Sequence, residues 1–288
     1  MRCKEHSNRM DQTVRVESGP VETTYRAVWQ LKSPPLVSLI VPTRDNREVL
    51  EPCPSSLLTL TDYPRFEVIV VDNGSSDGET LSYLESIGTD PRVTVLCHDV
   101  PYNFSAINNF AVSPVSAEII GLINNDVEIL DGDWLREMVS HAVRPEIGCV
   151  GAKLLYPDGT VQHGGVICGI GGIAGHSHKH YAGTAAGYYQ RLQLVQNLSA
   201  VTAACLLVRR AVFEEVGGLN AQSLPIAFND VDFCLRVRDA GYRNLWTPLA
   251  QLTHHESKSR GTDDTPAKQA RFCGEKQYMR RTWGAGLR

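Results

Sequence analysis

The stretch FEVIVVD at Phe66–Asp72, followed by NGSSDG at 73–78, decides the fold class. A short run of apolar, β-branched residues that ends in turn-forming residues is typical of a strand buried inside a sheet. Similar runs occur at 37–42 (VSLIVP), 92–97 (RVTVLC) and 118–124 (EIIGLIN), and apolar residues at helical spacing occur at 50–60, 79–87 and 104–112. Strands that alternate with helices predict an α/β fold with a doubly wound, mostly parallel sheet.

The second half of the chain has a more mixed pattern. Two strands flank a turn at 157–159, a buried strand is expected at 202–210 and another at 244–248, and helices are expected at 210–216, 230–240 and 265–283. We expect one domain at 36–288, with a nucleotide-binding half at 36–130 and an acceptor-binding, catalytic half at 131–288. Residues 1–35 are polar and end in Ser33-Pro34-Pro35. They predict a leader or linker with one short strand, and further domains in a longer chain remain open.

Composition excludes some classes of protein. The chain has 288 residues, 42% hydrophobic and 21% charged residues, and a net charge of −4, which indicates a globular protein and no nucleic-acid partner. Its eight cysteines contain no CxxC pair, and several stand in apolar runs, as expected for reduced thiols. No signal peptide or spanning segment is recognisable. We therefore expect a cytoplasmic protein, soluble or peripheral at the inner face of the plasma membrane.

Polar residues follow three of the first four predicted strands, at 43–45, 72–73 and 124–126. Ligands of open α/β sheets bind outside the carboxyl ends of the strands, so these residues predict one crevice. The alternative is that each group only ends a strand as a turn former. Asp126 offers the carboxylate oxygen that a hard divalent cation prefers.

Two clusters in the second half add candidate chemistry. Asp230 and Asp232 begin a predicted helix, where they are either an acidic first turn or functional carboxylates. His254 and His255 follow a predicted strand and are either a surface pair or the source of one metal ligand.

The segment 164–187 is rich in Gly and His; we call it the Gly-His loop. It predicts a mobile lid or acceptor-binding loop, a plain surface loop, or a metal site made by His176, His178 and His180 on one strand face.

Six motifs occur in order along residues 35–283: VSLIVPTRDN, FEVIVVDNGSSDGE, INNDVEIL, YPDGTVQHGG, FNDVDFCLRVRDAGYRNLWTP and HHESKSRG. Together they resemble glycosyltransferase family 2, inverting enzymes of the GT-A fold, in the bacterial surface-polysaccharide branch that includes rhamnosyltransferases. The resemblance implies a Rossmann-like, mostly parallel sheet flanked by helices, with a mixed C-terminal half on the acceptor side. It also implies a nucleotide-diphosphate sugar donor and Mg²⁺ or Mn²⁺ as cofactor.

The same resemblance implies roles for individual residues. Asp230 stands where the family has its catalytic base, and Asn124-Asn125-Asp126 stands at the Asp-x-Asp motif. Donor-binding residues would be Pro42, Thr43, Arg44, Asp45, Asp72, Asn73, Asn109, Asn124 and Asn125. Metal ligands would be Asp126 with His254 or His255. From their places next to these motifs, we expect Gln162, His163, Asn229 and Asp232 on the acceptor side and Arg260 as a phosphate contact. Two positions depart from the family pattern: Asn124 replaces the first Asp of the metal motif, and Asn229 replaces the Glu before the base.

The sequence thus predicts an inverting, metal-dependent sugar transfer to a hydroxyl of a glycan or lipid-linked glycan, in cell-surface polysaccharide synthesis. The basic residues near the C-terminal end could touch a lipid diphosphate or anionic lipid, or form an ordinary solvated helix face. Two alternatives differ in class: a non-catalytic sugar-nucleotide or glycan-binding module of the same fold, and a nucleotidyltransferase. The sequence does not specify the donor sugar, the acceptor, the linkage or the oligomeric state.

Overall fold

The computed structural model describes residues 14–256 and 265–284. Its first elements, β1 (Val14–Ser18) and β2 (Tyr25–Trp29), form an antiparallel hairpin that is separate from the central sheet. Arg26 of this hairpin pairs with the buried Glu137 carboxylate at 2.6 Å, and the Arg144 guanidinium lies 4.2 Å from the Trp29 ring centre. The described part of the expected leader is therefore a folded hairpin attached to the domain.

The first half contains β3 (Val37–Thr43), α1 (Arg47–Leu50), α2 (Pro52–Leu60), β4 (Phe66–Asp72), α3 (Gly78–Ile87), β5 (Val93–Cys97), α4 (Phe104–Val112) and β6 (Ile119–Ile123). The four strands are parallel, in the order β6-β3-β4-β5. This arrangement confirms the predicted parallel sheet. The helical spacing at 50–60 corresponds mainly to α2, which starts at Pro52, because a proline at the first helical position loses no hydrogen bond.

The second half contains β7 (Val127–Ile129), α5 (Trp134–Ala142), β8 (Ile147–Leu155), β9 (Val161–His163), β10 (Val166–Cys168), β11 (Ala174–His176), β12 (Gln196–Leu198), β13 (Cys205–Arg209), α6 (Arg210–Glu215), α7 (Asn229–Asp239), β14 (Arg243–His254) and α8 (Pro266–Trp283). Strand β13 runs antiparallel between β6 and β8, and β14 runs parallel to β8. This half is mixed, as predicted. Strand β14 extends well past the expected residues 244–248 and reaches His254.

The sheet is buried on both faces by two apolar clusters. In the middle of β6, Gly121 is the residue that allows close strand packing. A Cβ at this position would lie 2.6 Å from the Leu39 side chain and 2.8 Å from that of Leu207. Among the described residues, four thiols are buried in the core, those of Cys53, Cys149, Cys205 and Cys234. None of the helices in the described residues is both long and apolar enough to cross a bilayer.

Candidate active site

A cavity of about 930 Å³ lies at the carboxyl ends of β3 and β6. One wall is made by residues 42–46 and 124–126, which follow these strands. The opposite wall comes from the second half of the chain. It includes residues 202–204 and 226–231 together with Gln162, His176, His254 and Glu256. Residues from both halves of the domain therefore face the same space, which is large enough for a small organic ligand.

Hydrogen bonds connect the ends of the three strands. The Asn125 amide donates to Thr43 Oγ1 at 3.2 Å. The Asp45 carboxylate accepts from the backbone N–H groups of residues 76 and 77, at 2.7 and 2.9 Å, and its own N–H donates to Ser75 Oγ at 2.7 Å. The three strand ends meet at one edge of the sheet, as the sequence predicts.

Not every predicted donor residue reaches the cavity. Asp72 borders a second cavity of about 500 Å³, and its Oδ1 accepts from the N–H and the hydroxyl of Ser75. The buried Asn73 amide donates to two backbone carbonyls of the segment after β5. The Asn109 side chain exchanges two hydrogen bonds with the backbone of Leu219. Asn73 and Asn109 therefore hold loops in place, and their position does not match the predicted contact with a donor.

Asp126 and His254 approach each other in the cavity wall. The buried Asp126 Oδ1 atom accepts no hydrogen bond from the described residues and lies 3.1 Å from His254 Nε2. The Asn124 amide lies 3.3 Å from the same ring nitrogen. A carboxylate oxygen without a donor next to an imidazole nitrogen fits a divalent cation whose other ligands come from phosphate and water. Within the described ranges, no three His, Cys, Asp or Glu side chains gather as a complete metal site.

The two adjacent histidines point in different directions. The backbone N–H of His255 donates to the Asp126 carbonyl at 2.9 Å, but its ring lies 3.2 Å from the Glu128 carboxylate. Successive side chains of an extended segment point to opposite sides, so only one of the pair can face the cavity. That residue is His254, and the predicted alternative, a metal ligand at His255, does not match the ring's position.

Asp230 lies in the first turn of α7 and lines the cavity. Its Oδ2 accepts from the backbone N–H of Ala203 at 3.2 Å, and its Oδ1 accepts from Val231 N–H at 2.8 Å. The neighbouring Asn229 also lines the cavity, and its amide donates to the Ile226 carbonyl.

Asp232 is fully buried and does not line the cavity. Its two carboxylate oxygens bind Arg236 Nε and Trp283 Nε1, both at 2.8 Å. The contact with Arg236 is an ion pair between residues four positions apart on the helix, and the predicted acceptor-side role of Asp232 does not match its burial. The side chain connects α7 to α8.

The two residues predicted on the acceptor side at 162–163 differ in their access to the cavity. Gln162 lines the cavity, and its buried Oε1 accepts no hydrogen bond from the described residues. His163 lies behind the wall, fully buried, with its Nδ1 2.9 Å from Nδ1 of His176. His176 in turn lines the cavity. His176 therefore lies between His163 and the open cavity.

The Gly-His loop is partly ordered into the antiparallel hairpin β10–β11. The alternative in which three histidines share a strand face is wrong, because His178 and His180 have positive φ angles of 54° and 67°. His178 bonds the Ser177 hydroxyl, while His180 stacks on Tyr156 at 5.2 Å. Only His176 of the three reaches the cavity.

Glu256 is a cavity residue that sequence reasoning missed, although it stands in the HHESKSRG motif. It accepts a hydrogen bond from Tyr156 Oη at 2.5 Å and lies 3.4 Å from Lys179 Nζ. Burial alone would raise the pKa of Glu256, but the Tyr156 bond and the Lys179 charge bring this pKa below its ordinary value. The motif indicated the position, but only the fold shows that it faces the cavity. The predicted phosphate ligand Arg260 lies outside the described residues.

The chain is similar to known proteins over most of its length. The profile described as "Glycosyl transferase family 2" matches residues 38–217. The chain belongs to this family. It is 54% identical over 272 residues to the uncharacterized protein y4gI of Sinorhizobium fredii, and 41% identical over 263 residues to the O-antigen biosynthesis protein RfbC of Myxococcus xanthus. These matches cover 94% and 91% of this family 2 chain, but only 30% and 20% of the two relatives.

A further relative has a more specific name. The N-acetylglucosaminyl-diphospho-decaprenol L-rhamnosyltransferase of Mycobacterium tuberculosis is 26% identical over 229 residues, which cover 73% of this chain and 72% of the relative. A solved structure, the mannosyltransferase PcManGT from Pyrobaculum calidifontis in complex with GDP-Man and Mn²⁺, matches with a TM-score of 0.63 and 18% identity, over 97% of this chain and 71% of that one. The predicted GT-A fold and the predicted membership in glycosyltransferase family 2 are confirmed.

Proposed function

We propose that this family 2 domain transfers a sugar from a nucleoside-diphosphate sugar to a hydroxyl of a glycan or lipid-linked glycan, with inversion and with Mg²⁺ or Mn²⁺. The observation that carries the proposal is that Asp230 lines the same 930 Å³ cavity as Asp126 and His254. The named relatives support surface-polysaccharide synthesis, since they include an O-antigen biosynthesis protein and a rhamnosyltransferase.

Asp126 and His254 are the residues that would hold the cation. Bound there, the cation would act as a Lewis acid for the negative charge of the diphosphate leaving group. The missing first carboxylate of the motif, at Asn124, leaves Asp126 as the one carboxylate that this strand end contributes. The chain therefore offers a small set of protein ligands, and phosphate oxygens of the donor would supply further ones.

Asp230 is the base of the proposed reaction. Its carboxylate takes the proton of the acceptor hydroxyl while the hydroxyl oxygen attacks the anomeric carbon. The bond to the nucleoside diphosphate breaks on the opposite face, so the configuration inverts. Backbone N–H groups of residues 203 and 231 hold the carboxylate in the cavity wall, which fixes its orientation before the acceptor arrives.

Residues 42–46 and Asn125 form the wall against which the donor nucleoside would bind. Asp72 supports this wall through Ser75, whose hydroxyl also accepts from the Asp45 N–H. We propose that Asp72 shapes the nucleoside site through this connection, in addition to any direct contact with the donor. A cytoplasmic location at the membrane face, through the basic residues of α8, belongs to the same proposal.

Calorimetric titration with UDP-, dTDP- and GDP-linked sugars, with and without Mn²⁺, tests the function. We expect one nucleotide sugar to bind in a metal-dependent way, and Asp126→Asn to remove the metal dependence. His255→Ala is the matched control, because its ring faces Glu128 and should leave binding within twofold of wild type. If no donor binds to the folded protein, or if Asp126→Asn binds like wild type, the proposed site is wrong.

A further inference from the structure

A pair of histidines, His163 and His176, lies at the wall of the cavity that Asp230 also lines. His163 of β9 is fully buried, and its Nδ1 lies 2.9 Å from Nδ1 of His176 at the end of β11. The rings are nearly perpendicular, at 81°. Of the two residues, only His176 lines the cavity.

The proton positions of this pair follow from one backbone contact. The N–H of Thr202 donates to His163 Nε2 at 3.4 Å. A backbone N–H can only donate, so His163 Nε2 carries no proton, and a neutral His163 must carry its proton on Nδ1. That proton is donated to Nδ1 of His176, which leaves the proton of His176 on Nε2. Nε2 of His176 bonds no group in the part of the chain that the structure describes.

The same backbone segment holds the base. Thr202 N–H binds the inner histidine, and the next N–H, that of Ala203, binds Asp230 Oδ2 at 3.2 Å. Two consecutive peptide groups therefore set the position of the histidine pair and of the carboxylate relative to each other. His176 and Asp230 both line the cavity as a result.

We infer that His176 binds the acceptor hydroxyl through its Nε2–H beside Asp230, and that His163 is the positioning residue that fixes this tautomer. The inference rests on the proposed function. The hydroxyl oxygen would accept from His176 while its proton goes to Asp230. His176 keeps its own proton throughout.

The pair also prevents His176 from becoming a cation. An imidazolium would carry protons on both nitrogens, and two Nδ1–H groups would then face each other at 2.9 Å. Burial is the main cause that lowers the pKa of His163 well below its ordinary value, and nearby His176 and His254 lower it further. Burial likewise lowers the pKa of His176, although Asp230 opposes this shift. A neutral His176 leaves Asp230 free to accept a proton, since no ion pair with an imidazolium forms.

The tautomers can be measured directly. Two-bond ¹H–¹⁵N correlation spectra of the uniformly ¹⁵N-labelled protein near pH 7 distinguish the two ring nitrogens of each histidine. We expect His163 protonated at Nδ1 and His176 at Nε2. A His176 protonated at Nδ1, or at both nitrogens, overturns the inference whatever the enzyme's substrate is. Besides His163, the charged or titratable groups that shift the pKa of His176 are Asp230, Lys179, Glu256 and His254.

Kinetics test the contact with the hydroxyl. The measured quantity is release of nucleoside diphosphate from the donor that calorimetry selects, with water as the accepting hydroxyl. We expect His176→Leu to lower turnover about tenfold, as for loss of one hydrogen bond, with donor affinity within twofold of wild type. His176→Gln retains an N–H donor and should recover part of the loss. His180→Leu, in the same loop but stacked on Tyr156, is the matched control.

The outcomes separate the two proposals. If wild type is active and His176→Leu behaves like the His180→Leu control, the inference is wrong and the proposed function stands. If wild type binds no donor in calorimetry, the proposed function fails and the acceptor contact fails with it. His163→Leu adds a second readout, because its side chain has no N–H donor and the loss of the Nδ1–H should raise the pKa of His176 in the ¹⁵N spectra. An unchanged pKa in this variant contradicts the positioning role of His163.

Discussion

Glu137 connects the first hairpin to the core, and its removal should destabilise the domain in a pH-dependent way. Its buried carboxylate accepts from Arg26 of β2 at 2.6 Å, from Thr247 of β14 at 2.8 Å, and from His141 of its own helix at 3.1 Å. Burial opposes ionisation, but these partners together lower the pKa of Glu137 from 4.5 to about 2. The variant that tests this is Glu137→Gln.

The size of the effect follows from the shift in pKa. A folded-state pKa near 2 against an ordinary 4.5 corresponds to about 3 kcal/mol of the free energy of unfolding, at about 1.4 kcal/mol per pH unit. Because the folded pKa is lowered, this stability is present above pH 4.5 and is lost as the pH falls towards 2. Glu137→Gln should therefore cost about 3 kcal/mol at pH 7 and about half of that, or less, at pH 3.

Urea unfolding followed by circular dichroism at pH 7 and pH 3 measures both values. Glu85→Gln is the matched control, since Glu85 is exposed on α3, and it should change the free energy of unfolding by less than about 0.5 kcal/mol. A Glu137→Gln effect of the same size at both pH values would refute the ionic origin of the stabilisation. An effect below about 1 kcal/mol at pH 7 would refute its magnitude.

Three further predictions concern the site. Asp126→Asn and His254→Ala should each weaken Mn²⁺-dependent donor binding at least tenfold in calorimetry, whereas His255→Ala should not; equal effects of the two histidine variants would contradict the assignment. Asp230→Asn should lower turnover by about 10² to 10⁴-fold in a nucleoside-diphosphate release assay, with donor affinity nearly unchanged; near-normal turnover would place the base elsewhere. Glu275 of α8 accepts from the two N–H groups of residues 226 and 227, both at 2.8 Å, so Glu275→Gln should cost about 1 to 3 kcal/mol of unfolding free energy in urea titrations. A stability equal to wild type would show that α8 does not support this loop.

The first half of the fold was predictable because its signals are local. Strand β4 occupies the predicted residues Phe66–Asp72, and α4 occupies the predicted Phe104–Val112. A buried parallel strand needs an unbroken β-branched run, and a helix against it needs apolar residues at helical spacing. Both requirements can be recognised within ten residues of sequence.

The second half depended on pairings that no local pattern encodes. The run at Cys205–Arg209 is recognisable as a buried strand, but its antiparallel position between β6 and β8 is a property of the whole sheet. The directions of the side chains in the site could not be predicted from local sequence patterns either. The family resemblance places Asn109 among the donor-binding residues. In the structure, its amide binds the backbone of Leu219, a residue 110 positions away in the sequence.

The turn at 202–204 has a consequence for how this domain could change its acceptor. Its first two N–H groups hold His163 and Asp230, and the residues that follow form β13, which is fixed between two neighbours. An inserted or deleted residue in this turn would displace both groups at once. We therefore expect related chains to keep the turn's length and to diversify at Val166, Ala174 and Gly175, which line the cavity from the β10–β11 hairpin. Selection for new acceptors would then remodel one side of the cavity while the catalytic side stays unchanged.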